Sequence, residues 1–336
     1  MTRSLRARRA LAATAAVVVT LTTGAPARAS DTRTLAYIGY ATGQTGSIAV
    51  VDVATGAVVA GWDLDRPPNG LTPKPDGRYL YVADGNVHVF DATENDGEEV
   101  VSIDVGGFAN KVAFSPDATL AYVAEGSAGA GGSRGGIYVT DVATDAIVGR
   151  IRAVAWPTDL AISADGRTAY ALNFTAGALS VVDLATKTVT ATITGVADSS
   201  SRLSLAGDKV YVAGKTKLTE VGPDNRIARQ TDLAGNYARG LAITPNGRTA
   251  YVSAAYNQVG ALFTVDLATM AVTRRADVGA WGHLAVTPDG SRVFLNDTVG
   301  ERTSVIDTAN GYAVDQLHAP AGARPTSLAV FQVPGD

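Results

Sequence analysis

One short strand pattern comes back seven times along the chain, and that repetition limits the fold more than any other feature. It is centred on an aromatic residue: LAYIGY at Tyr37, YLYVAD at Tyr81, LAYVAE at Tyr122, TAYALN at Tyr170, KVYVAG at Tyr211, TAYVSA at Tyr251 and RVFLND at Phe294. The steps between them are 44, 41, 48, 41, 40 and 43 residues. A unit of that length cannot bury its apolar faces alone and must stack against copies of itself.

Each unit divides into four pieces. A short apolar strand comes first, as in DLAIS (Asp159 to Ser163). A tight turn follows: KPDGR, SPDAT, SADGR, TPNGR or TPDGS. Pro presets the first turn residue, Asp caps the turn and Gly accepts a positive φ. The tyrosine strand leads into a strand ending in Val-x-Asp (VVDVATG, VFDATEN, VTDVATD, VVDLATK, TVDLATM, VIDTANG), and then into an alternating strand such as KTVTATI (Lys187 to Ile193). Period-2 alternation and β-branched residues predict antiparallel strands, and no segment carries a helical period. The sequence therefore predicts an all-β fold: a seven-bladed β-propeller of four-stranded antiparallel blades, one domain over residues 30–336. The chain enters at the second strand of a blade and ends on PTSLAVF (Pro325 to Phe331), an unaccompanied first strand. The C-terminal strand is expected to join the N-terminal blade, closing the ring and removing an open edge.

The YV strand, the PDG turn and the Val-x-Asp-x-x-Thr-Gly turn resemble those of the YVTN family of β-propeller repeat proteins, over nearly all of Thr34 to Phe331. The resemblance implies the propeller fold and a surface-layer or periplasmic setting. It implies no particular activity, because one fold hosts many. The fifth unit departs from the pattern, with LAGDKVYV lacking the PDG turn and LTEVGPD where Val-x-Asp should stand. The WD40 signature is missing: Trp-Asp occurs only at Trp62-Asp63 and Gly-His only at Gly282-His283.

Residues 1–29 read as a cleaved signal peptide. Arg3, Arg6, Arg8 and Arg9 precede an apolar run from Ala10 to Leu21, and Ala27-Arg28-Ala29 supplies an A-x-A site. The run is shorter than the roughly 20 residues that span a bilayer, and no later run is long enough, so no membrane span is expected. The protein is expected to be secreted or periplasmic, by the general or the twin-arginine route. Cleavage removes five of 28 basic residues and none of 32 acidic ones, which leaves 23 against 32, a net of −9. That balance argues against a nucleic-acid partner. The absence of cysteine excludes disulfides, thiolate metal sites and covalent haem. No metal and no cofactor are expected, since His88, His283 and His318 fall on different classes of strand.

The repeated Asp52, Asp91, Asp141, Asp183, Asp266 and Asp307 read as turn caps, each with a Thr close behind. Six copies at one blade position lie around a ring and cannot converge on a substrate. The informative places are those where equivalent positions differ. Just before the apolar part of each first strand stand Gly70, Lys111, Asp159, Arg202, Gly240, His283 and Ser327, and one residue earlier Asn69, Asn110, Thr158, Ser201, Arg239, Gly282 and Thr326. First strands line the channel of a propeller, so these residues are expected around its mouth. Phe108, Trp156, Tyr237 and Trp281 precede the same strands. The expected ligand-binding residues are Lys111, Asp159, Arg202, Arg239, His283, Asn69, Trp156 and Tyr237, with no catalytic residue assigned. A structural alternative pairs the cations with Asp84, Glu125 and Asp297. The loop from Glu125 to Gly136 reads as a flexible segment beside the mouth.

These features point to a monomeric, non-catalytic binding or scaffold module for a small anionic ligand, a peptide or a protein. Its rival is a propeller enzyme, a lactonase-like hydrolase or a lyase, with His283 as base, Asp159 orienting it, and Arg202 with Lys111 stabilising an oxyanion. A third class is a cell-surface adhesion protein. Mass spectrometry of the exported protein is expected to find Ser30 as its first residue. An intact N-terminus on exported material would contradict the signal-peptide reading.

Overall fold

A computed structural model describes residues 32–334, apart from 95–96, 129–133, 153, 155, 199–200, 234–236, 257–258 and 298. The expected signal peptide lies outside the described residues, as does the middle of the glycine-rich loop after Glu125. The described residues form twenty-eight strands in seven four-stranded antiparallel sheets. The protein is a seven-bladed β-propeller. Among the described residues, no helix is long and apolar enough to cross a membrane.

Blade one is built from both ends of the chain. Arg324–Pro334 pairs with Thr32–Thr42, which continues into Thr45–Asp52 and Val58–Leu64. The other six blades are formed by consecutive strands. Their innermost strands are Gly70–Pro73, Ala109–Phe114, Pro157–Ile162, Arg202–Ala206, Tyr237–Ile243 and Leu284–Val286. Each touches the innermost strand of the next blade, and Arg324–Pro334 completes the circle.

The core lies between blades rather than within them. Seven apolar clusters are buried, and each draws its side chains from two neighbouring blades. The aromatic residues of the repeated strand sit in these clusters. Tyr37 is fully buried, stacks on Phe331 with ring centroids 4.9 Å apart, and donates its hydroxyl to the Ala92 carbonyl of blade two. Tyr81 meets Phe114 of blade three edge-on at 4.9 Å.

The turns follow the repeat. Five of the six repeated aspartates receive the backbone N–H of a following threonine, as Asp183 does from Thr186 at 2.7 Å, and Asp307 takes Ala309 and Asn310 instead. In the first hairpins, Gly77, Gly166, Gly247 and Gly290 hold φ between 67° and 75°, and Ala118 is held at 54° where SPDAT lacks the glycine. Blade five replaces that turn with a two-residue Gly207-Asp208 link, Ala206 facing Lys209. Its Glu220 stands opposite Tyr211, where other blades carry Val or Thr. The buried carboxylate accepts from Tyr211, Lys209 and Arg229, and Arg229 also donates to the Leu267 and Ala268 carbonyls of blade six. The departure from the repeat is thus compensated by an ionic clasp across the blade junction.

The closing strand is longer than PTSLAVF, and its side chains alternate in depth. Leu328 and Val330 are only half-buried, because Leu328 lines the channel, while Ala329, Phe331 and Val333 enter the core. Removing residues 325–336 takes away the partner strand of Thr32–Ala41. It forfeits about 1.5–3 kcal/mol each for Phe331 and Val333 and about 1 kcal/mol per ladder hydrogen bond, a loss comparable with the roughly 5–15 kcal/mol that holds a typical domain. The truncated protein is expected to lose cooperative melting or to oligomerise, as followed by light scattering. A truncated monomer with an unchanged Tm would contradict this.

Candidate functional site

The seven positions picked out by their differences between blades do meet. Gly70, Lys111, Asp159, Arg202, Gly240, His283 and Ser327 all line one cavity of about 130 Å3 at the end of the channel. Asn69, Asn110 and Thr158 share the lining, and leucines 71, 160, 203, 241, 284 and 328 form its deeper wall. In blades one, three, four and six, the inner ladder slips by one residue at this level. The residue left over is Thr326, Asn110, Thr158 or Arg239. Such bulges re-aim a side chain, and three of these reach the next blade.

Every blade junction is latched at this end. Thr326 donates to Pro68 O at 2.8 Å, Asn69 to Ala109 O at 3.1 Å and Asn110 to Pro157 O at 3.0 Å. Asp159 takes the Leu203 N–H of blade five at 2.9 Å on one oxygen and its neighbour Leu160 N–H at 3.0 Å on the other. Ala238 N–H reaches Lys215 O, Ser253 reaches Gly282 O and the buried Asn296 reaches Ser327 O. Different residues at equivalent places therefore partly reflect different solutions to one joining problem. Asn69 and Asp159, expected as ligand contacts, carry junction bonds while lining the cavity.

Lys111, Arg202 and His283 belong to no latch through their side chains. Arg202 crosses the mouth past Gly240 and places a guanidinium nitrogen 2.8 Å from His283 Nε2. Only glycine fits at 240, since a side chain would strike Gly282 O and Leu284. The guanidinium must donate, so Nε2 accepts and the imidazole is neutral. Burial holds the His283 pKa well below 6.5, and Arg202, Lys111 and Arg239 push it the same way. Burial also lowers Lys111, against the attraction of Asp159 and with the repulsion of Arg202. Among the described residues, the Lys111 ammonium makes no hydrogen bond or contact ion pair. Arg239 lies 4.8 Å over the Trp281 ring. The dyad expected of an enzyme is not assembled, because Asp159 is bound to backbone and His283 faces Arg202.

Trp156 and Tyr237 do not line the cavity; they stand just before and at the start of innermost strands, 40% and 55% exposed. Phe174, whose ring centre lies 5.7 Å from that of Trp156, was not picked out by its sequence position. It follows the tyrosine strand of blade four directly, and an aromatic residue in that loop is a signal that could have been read.

The carboxylates do not partner the cavity cations. Asp84 pairs with His88 Nε2 at 3.0 Å, Glu125 with Arg150 at 3.3 Å, and Asp297 with Arg302 at 3.2 Å. His88 also holds Glu99 through Nδ1 at 3.0 Å. Burial alone would lower the His88 pKa, but the hydrogen bonds and charges of Asp84 and Glu99 outweigh it and raise it from 6.5 to about 9. The folded value exceeds the unfolded one, so the stabilisation is complete below about pH 6.5 and is lost as pH rises through about 9. Urea unfolding of His88→Gln is expected to show a loss of about 1.5–3 kcal/mol at pH 6 that shrinks at pH 10. An equal loss at both values would contradict the ion-paired state.

No family model and no curated protein matches the chain. Solved structures do. Kuenenia stuttgartiensis hydrazine synthase aligns with a TM-score of 0.66 at 16% identity, covering 80% of this chain and 96% of that one. A functionally unknown protein from Desulfotomaculum acetoxidans DSM 771 aligns with a TM-score of 0.73 at 11% identity, covering 90% and 99%. At such identities the likeness is one of fold, and it places this chain among β-propellers.

Proposed function

We propose that this chain is an exported binding module of the YVTN propeller type whose mouth takes the anionic group of a small ligand or peptide. One observation carries the reading. Lys111 and Arg202 stand in a cavity at the channel end, neither paired with a carboxylate, while Asp84, Glu125 and Asp297 are held by other partners. Cations gathered in a narrow opening with low-dielectric walls raise the local potential for anions. Asp159 offsets part of that charge and Arg239 adds to it. The enzyme reading is weaker, because the lone pair that His283 would use as a base points at Arg202. Export rests on the composition of residues 1–29, and the family on the repeated motifs.

Binding should be coupled to pH. An anion in the cavity offsets Arg202, Arg239 and Lys111, and so raises the depressed pKa values of His283 and Lys111. The bound form then holds protons more tightly than the free form, and affinity rises as pH falls. Calorimetric titration with acetate and phosphate is expected to show this trend. Lys111→Ala and Arg202→Ala are expected to weaken binding about ten- to a hundredfold, the scale of one hydrogen bond to a charged group, with stability in urea little changed. Lowered stability with unchanged affinity would overturn the proposal.

A further inference from the structure

We infer that the ligand is a small anion with a planar, unsaturated body, its charge in the cavity and its plane laid on Trp156. The inference rests on the anion-binding reading above and extends it to the class of molecule. It starts from size. The cavity measures about 130 Å3. That is room for a carboxylate or phosphate group and little else, since sites that enclose a whole drug-sized ligand run to about 300–1,000 Å3. The rest of any ligand must lie outside, over the rim.

The rim beside Lys111 offers a flat surface rather than a second pocket. Trp156 directly precedes the innermost strand of blade four, and its backbone is left-handed, with φ of 51°. A bulky residue rarely takes that conformation, and the surrounding structure must hold it there. Its indole edge lies against Gly126, where an added Cβ would stand 2.7 Å from Cδ1 and closer still to the amide of Asn110, which lines the cavity. The ring is therefore next to the opening and fixed by a neighbour that must be glycine. Phe174 braces it, with ring planes 35° apart. Both rings remain 40% or more exposed. On the other side of the mouth the Trp281 ring is covered by Arg239. Phe108 and Tyr237 are exposed as well, but the Trp156 ring is the one set against the cavity-lining Asn110 and paired with a second ring, and an exposed aromatic face stacks best on another planar π-system.

Three carboxylates separate the possibilities: acetate, cyclohexanecarboxylate and 2-naphthoate, titrated calorimetrically into the intact protein. 2-Naphthoate is expected to bind about tenfold more tightly than cyclohexanecarboxylate, the lower part of the range for stacking on an aromatic side chain. Trp156→Gly suits the left-handed backbone and removes only the ring. It is expected to abolish that preference, so that 2-naphthoate and cyclohexanecarboxylate bind equally, and Phe174→Ala to reduce the preference in part. Equal affinity for the planar and the saturated acid, or a preference that survives Trp156→Gly, would overturn the planar-ligand inference and leave anion binding standing. If none of the three binds, or if Arg202→Ala leaves acetate affinity intact, the anion-binding reading fails and takes this one with it.

Discussion

Everything in this molecule depends on the packing of one blade face against the next. A four-stranded sheet with two apolar faces has no core of its own, and here each of the seven buried clusters is shared by two blades. The same dependence makes ring closure compulsory. Without Arg324–Pro334, Tyr37 would lose Phe331, and the clusters on both sides of blade one would lose side chains. Blade five shows how much local variation the arrangement permits. Its missing turn and its buried Glu220 are tolerated because Arg229 ties the sheet to blade six by another route.

The mouth is where the packing of all seven blades comes together. Seven strands converge there, and each junction must satisfy polar backbone that would otherwise be left unpaired. Asn69, Asn110, Asp159, Ser253, Asn296 and Thr326 do so with side chains of different kinds. With those bonds accounted for, two cations and a neutral histidine remain, and burial first, then nearby positive charge, lowers the pKa of each. Asp159 offsets these charges only in part, and an anion beside them would offset more.

How much of this could be read from the sequence follows from the length scale of each feature. Blade number, the turn caps and closure by the last strand were legible because they depend on local patterns that recur, such as the Asp183 turn and the tyrosine strand. The convergence of Lys111, Arg202 and His283 was legible because a propeller maps one strand position onto one ring. What was not legible depends on neighbours distant in sequence. The alternation of the closing strand was not legible, since both its faces carry apolar residues and only the channel decides that Leu328 is less buried than Ala329 and Phe331. The junction bonds of Asn69 and Asp159 needed the next blade's backbone in place. Trp156 and Tyr237 stand at the entry to innermost strands but outside the cavity lining, which depends on how neighbouring blades close around them.

The closing strand also gives the molecule a direction. Ser327 lies at the mouth, and from there the strand runs the full depth of the blade to Pro334, which is paired with Thr32. Thr32 and Pro334 therefore emerge side by side on the face away from the cavity. Anything joined at either point, whether a tether, a fusion partner or the surface of an affinity bead, holds the ring from behind and leaves its opening turned outward. A reagent built on this ring would thus be oriented by its covalent handle alone, with the cavity face presented to solution.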